Sequence, residues 1–216
     1  MDRNVKELRN ISQKFNSISG IYSRGCRYLS SLYRYDWYIE PQCFNKDVDK
    51  EKFVKDTYKA MVYFDNSQVP KVCDEIAQKV VVYGAYYGYL VKLKDRFMLQ
   101  ELPVNYCRSR FFKNGHAVVE FNMKFFDESF SDPVYRLKVL KLFPDEFIKG
   151  YSLYKQGKLI DVNAVDALSR HETGWFQLNT DNAFKFNLTT DCAPPFVNAI
   201  PAIIDLDAAQ ELDKKK

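Results

Sequence analysis

At 216 residues, 46% apolar and 28% charged, the chain has the size and balance of one large or two small globular domains with a buried core. A formal net charge of +4, with Lys and Arg mixed among Asp and Glu, is too small to imply a nucleic-acid partner by itself. Cys26, Cys43, Cys73, Cys107 and Cys192 form no C-x-x-C pair, which removes support from zinc and disulfide frameworks and leaves reduced, buried thiols.

The opening MDRNVKEL has no apolar core and is not a signal peptide. Up to Ser17 the segment is polar, and is expected to be frayed or weakly helical. Ser19 can then cap a helix reaching about Tyr35, with Tyr22, Cys26, Leu29 and Tyr33 at helical spacing. Its other face carries Arg24, Arg27 and Arg34, which suits either a solvated surface or contact with phosphate or acidic partner residues. YDWYIEP is expected to leave this helix as an extended strand ended by Pro41.

A second helix, from about Val48 to Phe64, should set Phe53, Thr57 and Met61 beside Val54, Tyr58 and Val62 on one broad face. DNSQVP breaks it, and Pro70 suits the first turn of a third helix, where a missing N–H costs nothing. Val72, Cys73, Ile76, Ala77, Val80 and Val81 would be its buried stripe. Gly84 and Gly88 bracket the first strand and allow close backbone approach or a bulge. No uncharged run approaches the ~20 residues of a membrane helix, and the apolar run between Lys79 and Lys92 falls well short of it.

Segments dense in Tyr, Phe and Val flank Lys94-Asp95 and again Asn114-Gly115. Asn-Gly supplies the positive φ angles of a type I′ turn, so RFFKNGHAVVEF is the strongest hairpin signal. These segments predict a small antiparallel sheet with helices packed from both sides. Beyond Asp127, Asp132 followed by Pro133 marks a helix start, and Pro144 ends that helix or opens another at DEFIKGYSLYK. Asp161 to Ser169 is short helix or loop. GWFQLN and AFKFNLT alternate around Thr180-Asp181-Asn182, which predicts a second hairpin, and CAPP stops it.

The final segment sets Ile203, Leu206, Ala209 and Leu212 on one side of a helix, and the pattern runs into the last residue. The expectation is an α+β domain over residues 1–200 and the start of a long, truncated helix over 201–216. A basic cap made by Lys214 to Lys216 is the alternative.

The chain lacks G-x-x-x-x-G-K-[ST], G-x-S-x-G, H-E-x-x-H and G-x-G-x-x-G. A thiol enzyme would need Cys107 or Cys192 beside His116 or His171, and Cys107 and His116 flank the same turn. Asp145-Glu146 are more simply acidic residues of a helix first turn than a general acid/base pair. Asn114 to Phe121 echoes an RNA-recognition strand at Gly115, Ala117, Val119 and Phe121. His116 and Val118 stand where that strand needs stacking aromatics. No enzyme, metal or cofactor is expected.

Three segments in order resemble the portal (connector) proteins of tailed bacteriophages. SGIYSRGCRYLSSLYRYDWYIEP is similar to their opening Tyr-rich, Arg-bearing helix and its extended exit. VVYGAYYGYLVKLKDRFMLQELPVNYCRSR resembles their G-x-x-Y-G-Y strand followed by LQ-LP-YCR. PPFVNAIPAIIDLDAAQELDKKK resembles the approach to their long stem helix.

The resemblance, which runs from about Ser17 onward, implies a wing-like α+β part of a non-enzymatic ring subunit. Such rings are commonly dodecameric and sit at one capsid vertex of the virion, which is assembled in the host cytoplasm. Double-stranded DNA passes through the ring, a separate terminase motor docks to one end, and capsid and scaffold proteins surround the rim; no membrane is involved. The family has no DNA-contact motif that can be placed on this chain, so Arg24, Arg27 and Arg34 stand only as candidate subunit or DNA contacts. The alternative is a non-enzymatic nucleic-acid-binding module using the sheet and its basic flanks, and a small thiol enzyme at Cys107 and His116 is the third.

Overall fold

The structure, a computed structural model, describes residues 2–32, 50–159 and 174–214. The chain divides into two compact units. The first comprises Met1–Tyr86, Lys92–Leu99 and Phe186–Lys216, and the second Tyr87–Val91 and Gln100–Lys185. Helices and small antiparallel sheets make it an α+β protein, as expected.

The first unit begins with α1 (Asp2–Ile18) and α2 (Gly20–Ser31), separated at Ser19, whose extended backbone and side chain cap α2 by accepting from the Tyr22 amide. The expectation of a frayed start fails here for a reason two polar residues supply. The last carbonyls of any helix lack intrahelical donors. In α4 (Val69–Tyr83), Arg9 Nε donates to the Tyr83 carbonyl at 2.9 Å and Ser12 Oγ to the Val82 carbonyl at 2.6 Å. Ser12 spends its proton on Val82, so the 2.8 Å contact with Tyr22 is the tyrosine hydroxyl donating to Ser12 Oγ. One buried serine thus joins three helices. Around it Tyr22, Cys26, Val81, Val82 and Ile200 form the core, with Phe15, Leu29, Phe196 and Ile203 at its margin.

Pro70 lies in the first turn of α4, as expected, but the buried part of that helix is Val80 to Val82, and Cys73 is exposed. Gly84 ends α4 with φ +79°, its N–H returning to the Val80 carbonyl. A Cβ there would lie 2.2 Å from the Cys192 carbonyl oxygen, so close backbone approach is the reason for glycine.

Helix α3 (Lys50–Asn66) buries no residue among those described. Its end is tied down: Phe97 rests against Tyr63 and Phe64, and its amide donates to Ser67 Oγ. The broad face expected of this helix is open at Val54, Tyr58, Met61 and Val62. The expected exit strand YDWYIEP, together with Arg34, Tyr33 and Tyr35, lies outside the described residues, as do Asp161 to Ser169 and His171.

Strands β1 (Ala85–Lys92) and β2 (Phe97–Leu102) join through a turn closed by the Leu93 amide on the Arg96 carbonyl, at the predicted Lys94-Asp95 position. In the second unit, β3 (Cys107–Arg108) precedes a hairpin of β4 (Phe112–Lys113) and β5 (His116–Ala117), turning at Asn114 (φ +51°) and Gly115 (φ +80°). Positive φ at both residues is the type I′ geometry Asn-Gly predicts. The hairpin stops after two pairs, and β6 (Glu120–Asn122) then pairs with β3, Cys107 opposite Phe121.

The single sheet expected from these segments is three sheets, ordered β2-β1-β8, β3-β6-β7 and β4-β5. The predicted second hairpin does not form. Strand β7 (Trp175–Gln177) pairs with β6, whereas β8 (Ala183–Asn187) joins β1.

Helices α5 (Lys124–Ser129), α6 (Pro133–Leu140) and α7 (Asp145–Lys155) follow, and Asp132 caps α6 through the Val134 amide as its sequence predicts. They enclose an aromatic core in which Phe121, Phe126 and Phe147 are fully buried, with Phe121 and Phe147 edge-on at 5.3 Å. The terminal helix α8 (Ile200–Lys214) forms as expected.

Candidate functional site

Helix α2 turns Tyr22 and Cys26 inward, so Arg24, Arg27, Tyr28 and Ser31, at i, i+3, i+4 and i+7, share the outward face. Helix α4 packs beside it and contributes Asp74 and Gln78, also one helical turn apart. Between the two faces lies a groove of about 530 Å³ lined by these six residues and Ser30, whose hydroxyl donates back to the Arg27 carbonyl. Both guanidinium groups are exposed, and neither has a hydrogen-bond or ion-pair partner among the described residues. Two of the three predicted arginines are thus brought to one site; the third, Arg34, is outside the described residues.

The second unit uses its charges differently. Glu120 is 7% exposed on β6 and holds two arginines: Arg108 Nε at 2.7 Å from Oε2, and Arg110 with Nε and Nη2 at 3.0 and 2.9 Å from the two oxygens. Arg108 also lies 3.9 Å over the Trp175 ring. Asp127 accepts from Tyr151 at 2.7 Å and from Lys155 at 2.6 Å, and pairs with Arg136 at 2.7 Å. Burial works to raise its pKa, but the bonds from Lys155 and Tyr151 and the charges of Lys155 and Arg136 outweigh it and hold the carboxyl below its ordinary value.

Glu146 accepts the Tyr89 hydroxyl at 2.8 Å and the Asn179 amide at 2.7 Å, so it fastens a loop onto α7. Burial first, then that hydrogen bond, pushes the Tyr89 hydroxyl above its ordinary range. None of these pairings was legible as a motif. The partners are distant in sequence, and only the alternation of Arg108 and Arg110 in YCRSR hints that both point one way.

Cys107 and His116 are not brought together: Cys107 faces Phe121 in one sheet, and His116 faces Lys113 in another. Burial pushes the Cys26 thiol up to about 11, far from a reactive thiolate. The strand resembling an RNA-recognition motif buries Val118, Val119 and Phe121 completely, so it offers no stacking surface. Asp145 stays exposed at the start of α7. Among the described residues, Arg24 and Arg27 thus share a groove and neither has a charged partner. No family model, curated protein or solved structure matches this chain.

Proposed function

We propose that this chain is a non-enzymatic structural subunit of a tailed-bacteriophage portal ring. In that role it forms part of the DNA entry and exit channel at the capsid vertex, beside a separate terminase motor and among capsid and scaffold proteins. The observation that carries the reading is the order of the three Tyr-rich segments, opening helix, LQ-LP-YCR hairpin and final helix. The surface supports it: Val54 and Tyr58 of α3, Val134 and Leu137 of α6, Leu142 and Phe112 all expose more than half of their surface. Large apolar groups open on several elements suit a building block that is covered by neighbours.

Electron microscopy of the purified protein in its full encoded length tests this. Closed rings are expected; a monomer at the highest soluble concentration overturns it.

A second reading, a nucleic-acid-binding module, draws on Arg24 and Arg27, which have no partner among the described residues. It requires that the monomer bind DNA or RNA with an affinity falling steeply with salt, in proportion to the phosphates neutralised.

A further inference from the structure

Two helices, one in each unit, turn apolar stripes to solvent. On α3, Val54, Tyr58, Met61 and Val62 fall at i, i+4, i+7 and i+8, so they share one open face. Asp65, at i+11, continues that face at the carbonyl end of the helix and is itself exposed. At the other end Lys50 and Lys55 line a shallow apolar hollow with Val54 and Tyr58, and residues 50–55 carry three lysines against one glutamate.

On α6, Val134, Leu137, Lys138 and Lys141 fall at i, i+3, i+4 and i+7, with Tyr135 and Leu142 alongside. The four apolar groups each expose more than half of their surface, and Leu142 exposes 81%. Asp132 stands at the start of this helix, where its carboxylate caps the Val134 amide. The Asp65 carboxylate and the Lys138 and Lys141 ammonium groups have no hydrogen-bond or ion-pair partner among the described residues.

Charge therefore runs in opposite senses along the two faces. The α3 face is basic where the helix begins and acidic where it ends, and the α6 face is the reverse. Laid parallel, they set Lys50 and Lys55 toward Asp132, and Asp65 toward Lys138 and Lys141. The spans agree: Lys55 to Asp65 covers about 15 Å of helix and Asp132 to Lys141 about 14 Å. Two α6 faces laid antiparallel would instead bring Lys138 against Lys138 near their centre. Two α3 faces can pair, but that contact leaves α6 open.

We propose that the open face of α3 on one copy of the chain packs parallel to the open face of α6 on a second copy. One such contact covers both stripes. It uses different surfaces on the two copies, the type that closes into rings or continues as filaments. In a ring each copy gives α3 to one neighbour and α6 to the other. The inference deepens the ring reading and rests on it in that copies of the chain meet.

Sedimentation velocity of the full chain at low salt, over a range of concentrations, tests the contact. Particles larger than a dimer are expected. Asp65→Lys, and separately Lys138→Glu with Lys141→Glu, should each weaken association about tenfold or more through like-charge contact. Mixing the two variants should restore it, because every α3–α6 contact between unlike chains then joins opposite charges. All three side chains are exposed, so circular dichroism and melting of the variants should be unchanged.

A chain that stays monomeric, or stops at a dimer, overturns the proposal. So does weakening in only one of the two variants, which marks a pairing of like helices, and so do weakened variants that stay apart when mixed. Closed rings in microscopy that ignore both variants would sink this contact and leave the ring reading standing. Charge-dependent growth into open filaments without rings would do the reverse.

Discussion

Two glycines with nearly the same backbone angle separate strain from collision. Gly84 and Gly115 have φ of +79° and +80°, but a Cβ at Gly84 would meet the Cys192 carbonyl, while at Gly115 nothing lies within 4 Å. Gly115→Ala should therefore cost only the left-handed penalty, about 1–2 kcal/mol in denaturant unfolding. Gly84→Ala should cost clearly more, because the chain at Cys192 and Ala193 must also move.

Asp127 makes a pH prediction at the same scale. Its carboxyl is held below its ordinary value in the fold, so the unfolded chain binds the extra proton more readily and stability rises with pH across that range. The contribution is complete above the unfolded value of about 4 and is lost as pH falls through the lower folded value. Thermal melts against pH should show an acid limb that Asp127→Asn flattens, with about 2 kcal/mol lost near neutrality from weakened charged bonds. An unchanged acid limb in the variant would remove Asp127 from the account.

At the scale of elements, α1 shows how polar residues can dock a helix. Its Arg9 and Ser12 are buried because the carbonyl end of α4 needs donors, and a positive charge there also suits the helix dipole. Ser12→Ala leaves both the Val82 carbonyl and the Tyr22 hydroxyl short of a partner, which should cost about 2 kcal/mol. Adding Tyr22→Phe removes one of the two orphans, so the double variant should lose less than the two single losses summed. Strict additivity in that cycle would mean that the serine and tyrosine do not act together. The apolar spacing of Val5, Leu8, Ile11, Phe15 and Ile18 marks α1 as amphipathic, but nothing local in it announces that Arg9 and Ser12 reach the end of α4.

For the whole molecule, the decisive property is what stays uncovered. Val54→Ser with Tyr58→Ser on α3 removes side chains that are about two-thirds exposed, so the melting temperature should move by no more than ~0.5 kcal/mol of stability allows. Self-association in sedimentation should nonetheless weaken. A large loss of melting temperature would show instead that this face is covered within its own chain.

The amino-acid sequence alone was enough for the caps at Ser19 and Asp132, the proline start of α4, the Asn114-Gly115 turn and the final helix. Each of these depends on groups within a few residues of one another. It also placed Arg24 and Arg27 together on one helix face, since helical spacing is local too. What only the tertiary structure decided was partner choice. Alternating segments look alike, so nothing nearby in the chain sends β7 to β6 and β8 to β1, pairs Glu120 with two arginines, or sets Asp74 and Gln78 across from Arg24 and Arg27. Those selections are made by burial and charge compensation across long stretches of chain, where many pairings compete and the packed core admits one.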